Sequence, residues 1–544
     1  MQHQVADYII VGGGISGCVV ASRLSKHKSK PSVVLIEAGP DAARHPLVSY
    51  ASTAQRVRNS ELNWNFPSTK QQHLDGRICQ NAAGKALGGS SAINTGGWIR
   101  GDAKDYDYWA KIVNNPRWSY SGFLPYFIKT EHHHDPSADP TQHGFKGPIH
   151  TQTALTTGRH YPLREPAKVA FAAIGINEIR DANSGSPQGL AQCTEAWNNG
   201  KRQLASEVYP LDSVNVLTET MVERVLIEDK DGEKIAVAVQ LADGRILQAS
   251  REVILCAGAY RTPQVLLLSG IGSNEELTKH GIQQVIDLPD VGKNLHDHFA
   301  VSQYWKLHAP GGGLAFGDPK FNTPAYSLGL PFDWVATETV PAVGLKDALL
   351  VDAQHADDMD MQLNQRSHLE LYLVYAGASA KPVVTLDGSH VMTSVVMLLP
   401  TSRGQVTISS TNPNDNPVID NNYYATEHDR YVMRIGLKKI GKMLHETREG
   451  QEIVANEVVA EGLEPLTSTL SDANLDARVR FSGNTLYHPA GTASMGKVVD
   501  SELRVRGISR LRVADASVLP VPIASHYQAC IFALGEQAAD LLLT

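Results

Sequence analysis

Short apolar runs recur along the chain at wide spacing, each the length of one strand buried on both faces. Tyr8-Ile9-Ile10-Val11 and Val33-Val34-Leu35-Ile36 are the first two, with a helical stretch between them. Residues 214–227 and 236–241 alternate or run apolar like further strands, and an Asp243-Gly244 turn follows. Glu252 to Ala259 reads as a buried parallel strand ending in small residues. A helix is predicted to open at Thr262-Pro263, with threonine as N-cap and proline at the first helical position. Val391 to Leu398 predicts a strand, Glu427 to Thr447 a helix and Leu511 to Asp515 another buried strand. Ile531 to Leu543 predicts a closing amphipathic helix that contains Glu536 and Asp540. No repeat or low-complexity tract interrupts the pattern.

The first junction carries chemistry. Val11 runs straight into Gly12-Gly13-Gly14-Ile15-Ser16-Gly17, and the second strand ends at Glu37-Ala38. Strand, G-x-G-x-x-G turn, helix, strand and acid, in that order, form a dinucleotide-binding βαβ unit. Gly12 permits the tight turn, Gly14 lets backbone approach a pyrophosphate, and Gly17 lets helix and strand pack closely. The helix start offers unpaired N–H groups to phosphate. Glu37 can accept hydrogen bonds from a ribose, and an acid there disfavours a 2′-phosphate. The motif alone leaves FAD and NAD both open.

At 544 residues the chain is too long for one compact core, so two or more intertwined domains are expected. A formal charge of −8 and the lack of a basic run with interleaved aromatics argue against nucleic acid or an anionic membrane as partner. The first residues lead directly into a strand, without a cationic region and apolar signal core. No apolar run reaches the roughly 18 residues of a membrane span. Cys18, Cys79, Cys193, Cys256 and Cys530 are scattered and lack metal-ligand spacing, so buried thiols are expected. These features predict an intracellular, cytoplasmic protein, although a mature chain cut from a longer precursor would read the same way.

Three further blocks stand beside the βαβ unit. The first runs from Gly84-Lys85-Ala86-Leu87-Gly88-Gly89-Ser90-Ser91 through Ile93-Asn94-Thr95-Gly96-Gly97-Trp98 to Gly101. The second is Gly258-Ala259-Tyr260-Arg261-Thr262-Pro263-Gln264 and the apolar residues after it. The third pairs Tyr487-His488-Pro489-Ala490-Gly491-Thr492 with Val513-Ala514-Asp515-Ala516-Ser517, ending at Ser525-His526-Tyr527-Gln528. Together the four blocks resemble the glucose–methanol–choline (GMC) oxidoreductases over essentially the whole chain.

The resemblance implies an α/β fold: a three-layer Rossmann-like FAD-binding domain intertwined with an α+β substrate-binding domain on an antiparallel sheet. The first is expected to take residues 1–150, 206–300 and 481–544, the second 151–205 and 301–480. It implies FAD rather than NAD, with contacts at Gly12, Gly14, Ile15, Ser16, Gly17, Glu37 and Ala38. Further contacts are implied at Leu87, Gly89, Ser90, Ser91, Asn94, Thr95, Gly96 and Gly97, then at Val222, Ala257, Gly258, Asp515, Ala516, Tyr527 and Gln528. Small residues in Gly88-Gly89-Ser90-Ser91 let backbone amides reach phosphates and ring edge. Some relatives attach flavin to a histidine; Ile93 stands there, so the FAD is expected to be non-covalent.

Among 21 histidines, His488 and His526 fall in the motifs that flank the flavin ring in this family. Alcohol oxidation needs a base near neutral pKa to take the hydroxyl proton as hydride leaves for flavin N5, and imidazole suits it. The resemblance makes His488 that base and His526 the residue that holds the substrate oxygen, a pair pointing to aryl-alcohol- or glucose-type oxidases. The expected partners are a small alcohol and an oxidant for reduced flavin, either O2 or another acceptor. A non-redox lyase or cyclase using the same pair is the alternative.

Other clusters read as structural. His132-His133-His134-Asp135 is expected to be a solvated loop rather than a metal site, and no metal is expected elsewhere. His296-Asp297-His298 resembles a family turn between domains. Trp98 fits either pocket or core. Ser402-Arg403-Gly404, Asp420 and Tyr423 match the substrate-domain scaffold. The insert Ala353 to Leu371, rich in acids and glutamine, reads as a lid or a surface loop.

Overall fold

In a computed structural model every residue is described except 1–3, 55, 354–358, 360, 361 and 544. Most of the acid-rich part of the 353–371 insert therefore lies outside the described residues. The first sheet is seven-stranded, in the order Asn215–Leu217, Val33–Ile36, Gln4–Val11, Ile246–Leu255, Glu233–Leu241, Val222–Lys230, with Leu511–Val513 also paired to Ile246–Leu255. Gln4–Val11 is central and parallel to both neighbours, Val11 facing Ile36 on one side and Leu255 on the other. Leu511–Val513 runs parallel beside Val253–Leu255. Asn215–Leu217 is parallel to Val33–Ile36, so five carboxyl ends finish at one edge, where open α/β sheets place their ligands.

The second sheet is antiparallel throughout. Its order is Val454–Glu457, Phe299–Leu307, His390–Met397, Leu369–Val374, Trp334–Glu338, Gly189–Gln192, with Asn484–Thr485 pairing Phe299 and Ala300. Helix Glu427–Gly441 packs on it and buries Val432, Met433, Leu437 and Ile440. Each sheet has its own large apolar core. The fold is the α/β arrangement expected: a Rossmann-like mixed sheet joined to an antiparallel one.

Several predicted boundaries move. The run 214–227 splits into Asn215–Leu217 and Val222–Lys230, which join opposite edges of the first sheet. The helix expected to open at Thr262 opens at Gly258 and contains Pro263. Proline there removes the N–H that would bond the Ala259 carbonyl, and the Thr492 hydroxyl donates to that carbonyl instead. The last helix spans Tyr527–Leu543 and buries Glu536, which takes Arg23, Lys129 and the Tyr209 hydroxyl. A buried carboxylate with three partners replaces a solvated polar face.

Candidate active site

One cavity opens at the carboxyl edge of the first sheet and runs to residues 486–489, just past the short Asn484–Thr485 strand of the second. Gly12, Gly14, Ile15, Ser16, Glu37, Ala38, Gly89, Ser90, Asn94, Thr95, Gly96, Gly97, Val222, Ala257, Gly258, Asp515, Ala516, Tyr527 and Gln528 line it, with His488 and His526. Three expected contacts do not reach the wall. Gly17 sits against the Gly12 carbonyl, where a Cβ has no room, so it serves helix–strand packing. The Leu87 side chain packs against Gly13. Ser91 Oγ donates to the Gly88 carbonyl at 2.6 Å and accepts from Ala205 N at 3.0 Å, so it holds the glycine loop from behind.

The nucleotide end of the wall is backbone. Gly12 has φ 104° and rests on the Cys256 carbonyl, and Gly89 presses on Gly14. A Cβ on Gly14 would meet nothing nearer than the Cys256 carbonyl at 3.8 Å, and one on Gly258 nothing within 4 Å, so both face open cavity. Glu37 closes the second strand and accepts from Gly13 N at 2.9 Å and Gly39 N at 2.8 Å. Burial pushes its carboxyl up to about 7, against the downward pull of those N–H groups. The Asp515 side chain turns inward. It accepts from Gly258 N and Thr262 Oγ1, and from the N and Oγ of Ser517, so it latches the Gly258 helix to the last strand.

The other end is made of side chains. The His488 and His526 rings lie 5.3 Å apart. Tyr487, in the left-handed region at φ 65°, sets the turn into His488, whose N donates to Asp297 Oδ1 at 2.8 Å. Asp297 also accepts from Tyr423 and Thr485, and burial pushes its carboxyl up to about 6. His526 N donates to the Ile99 carbonyl, and its Nε2 lies 3.0 Å from Glu370 Oε1. Gly97 lies against the His526 ring; any side chain there would displace it.

Two participants were read otherwise in the sequence. His298, taken as part of a structural turn, has Nδ1 3.0 Å from His488 Nδ1 and packs its ring on Tyr527. Burial, then the neighbouring His526, pushes His298 down to about 3. Burial, then His298 and His526, also holds His488 well below the ordinary imidazole value. Both rings are therefore neutral near pH 7, and one proton lies between their Nδ1 atoms. Glu370 belongs to the insert read as a lid or surface loop, but lies in strand Leu369–Val374 and is 1% exposed. Trp98 is core, fully buried and packed against Phe532. Arg403 Nε donates to Asn294 Oδ1 in the turn before Asp297, which gives the Ser402-Arg403-Gly404 loop its bracing role.

The 132–135 histidines are not a solvated loop. His133 is 9% exposed, and Glu131, His133 and His143 bring metal-ligand atoms within 4.8 Å of one another. Arg100, however, donates to Glu131 at 2.5 Å, and the His133 and His143 rings stack with centroids 3.9 Å apart. Stacked rings aim their lone pairs side by side rather than at one point. Burial opposes the charge on His143, but the hydrogen bonds it donates to Asp181 and Glu131 prevail and raise it to about 9. The group is an ionic chain, Arg100–Glu131–His143–Asp181, behind the 96–101 segment.

A glycine-lined edge opening onto two histidines is the arrangement that family comparison then decides. GMC oxidoreductase models match residues 6–300 and 400–535. The chain is a GMC oxidoreductase. It is 43% identical to the GMC-type oxidoreductase acuG of Aspergillus aculeatus over 541 residues, with 99% of both chains covered. It is 32% identical to an alcohol dehydrogenase [acceptor] of Pseudomonas putida, covering 99% of this chain and 95% of that one. A variant of Aspergillus oryzae formate oxidase superposes with TM-score 0.86 at 29% identity, covering 99% and 98% of the two chains. FAD is the typical cofactor of GMC oxidoreductases, and this wall fits it. Gly14 and Gly258 present bare backbone to the cavity, and the buried Ser16 Oγ has no hydrogen-bond partner among the described residues. No helix among them is long and apolar enough to cross a membrane.

Proposed function

We propose that this GMC oxidoreductase oxidises the hydroxyl of a small alcohol to a carbonyl, with FAD held non-covalently and His488 as the base. The observation that carries the reading is the pair of imidazoles, 5.3 Å apart, on the same cavity as the glycine cradle. FAD bound in that cradle supplies the acceptor for the substrate hydride, later regenerated by O2 or another oxidant. Ile93 on the wall is aliphatic and cannot bond covalently to it.

His488 can accept a proton on its cavity side only if its Nδ1 carries the hydrogen shared with His298. His298 then keeps its own proton on Nε2. His526 orients the substrate oxygen, and the Glu370 side chain fixes its tautomer by accepting from Nε2–H. The His/His pair supports placement with aryl-alcohol- or glucose-type oxidases. Anaerobic mixing with a panel of aryl, aliphatic and sugar alcohols tests the proposal: flavin absorbance bleaches with a substrate. Turnover without bleaching would establish lyase or cyclase chemistry instead.

A further inference from the structure

At the catalytic end the cavity carries a cation that the reaction as described does not use. Arg58, in the short turn Val57–Asn59, lines the wall, and its guanidinium lies over the Tyr487 ring at 4.5 Å. Val57, fully buried, anchors the turn, and the left-handed Tyr487 fixes the ring next to His488. A guanidinium held over an aromatic face can still offer its N–H edges to a planar acceptor.

The charge has no counterpart among the described residues. Among the described residues Arg58 has no carboxylate within ion-pair distance and no side-chain hydrogen-bond partner. The acid nearest the chemistry, Glu370, is committed to His526. A second cation adds to the field: the buried Arg202 hydrogen-bonds Ser91 O and Asn94 Oδ1, and burial, then Arg58, pushes it down to about 9. Tyr372, two residues from Glu370 along the same strand face, is also within electrostatic reach of Arg58. A half-buried guanidinium facing a cavity beside a second cation is stabilised by an anion that enters the cavity.

We propose that Arg58 is the substrate-recognition cation of this site and that the alcohol oxidised here carries a carboxylate. The acid seats on Arg58 while the carbinol lies between His488 and His526. The substrate class is thus a hydroxy acid or a hydroxymethyl aryl acid. This rests on the alcohol-oxidation reading above, but carboxylate binding is measurable without turnover.

The FAD-loaded enzyme and its R58Q and R58K variants are titrated with benzoate, which has no carbinol to oxidise, following the flavin spectrum. Wild type should give a saturable perturbation, R58Q should bind roughly 10- to 100-fold more weakly, and R58K should recover part of the loss. Anaerobic reduction by 4-(hydroxymethyl)benzoate and by benzyl alcohol then gives the preference for the charged substrate. That preference should fall by a similar factor in R58Q, mainly through substrate affinity. Equal benzoate affinity in wild type and R58Q, or a wild-type preference for benzyl alcohol, overturns the proposal. Loss of FAD from R58Q with an unaltered benzoate affinity in the FAD-loaded fraction also overturns it, and assigns Arg58 to the flavin phosphates. Benzoate binding that depends on Arg58, without bleaching by any alcohol, sustains the recognition site and sinks the oxidation reading.

Discussion

The two ends of the cavity are built in opposite ways. At the sheet edge the wall is backbone from consecutive residues: Val11, Gly12 and Gly14 follow one strand, and Ala257 and Gly258 another. At the histidine end it is side chains from remote segments. His298 reaches His488 across 190 residues, and Glu370 reaches His526 across 156. A cradle made of backbone offers binding through N–H groups and shape, whatever the substrate. A cluster of side chains sets proton positions and charge, and so sets the reaction. Binding and chemistry can therefore be damaged separately.

His488→Ala should separate them most sharply. FAD content is retained while the rate of flavin reduction falls by about 10²- to 10⁴-fold, the usual worth of a positioned base. Comparable reduction rates in the alanine variant would remove His488 from the mechanism. Gly14→Val attacks the other end. Its side chain would enter open cavity rather than protein, so the fold persists while bound flavin, read from the 450 nm to 280 nm absorbance ratio, drops at least about tenfold. A fully yellow Gly14→Val protein would dissociate this glycine from the cofactor.

Glu370→Gln should have a smaller effect, about tenfold on kcat/KM, because the amide oxygen still accepts from His526 Nε2 but more weakly than a carboxylate. FAD content should be indifferent to it. The smallest effect tests the ionic chain behind both ends. His143 is raised from 6.5 to about 9, so its contribution to stability is full below pH 6.5 and is lost as pH rises through 9. Between those values the wild-type Tm should fall relative to His143→Gln; parallel curves would refute a protonated His143. His298 has the opposite sign. Its value is pushed down to about 3, so the unfolded chain binds the extra proton and stability falls as pH drops below 6.5.

Much of the nucleotide end was legible because its determinants are local. Apolar runs of strand length, the Gly12-Gly14-Gly17 spacing and the acid at Glu37 act over a few dozen residues, and they place the strand–turn–helix–strand unit where the fold has it. The distant blocks that carry the resemblance hold His488 and His526, which line one cavity. The Thr262-Pro263 helix start misled because a hydroxyl from Thr492, far along the chain, takes over the carbonyl that proline leaves unpaired.

By itself the sequence determined the α/β class, the glycine turn and which histidines carry family motifs, since these follow from periodicity and short-range turn chemistry. Only the tertiary structure decided that His298 and Glu370 join the site, that Arg58 faces the cavity without an acid among the described residues, and that His133 lies beside an ionic chain running from Arg100 through Glu131 and His143 to Asp181. Whether a polar side chain is solvated, paired or aimed into a cavity depends on what packs against it from elsewhere in the chain. No local pattern encodes that neighbour.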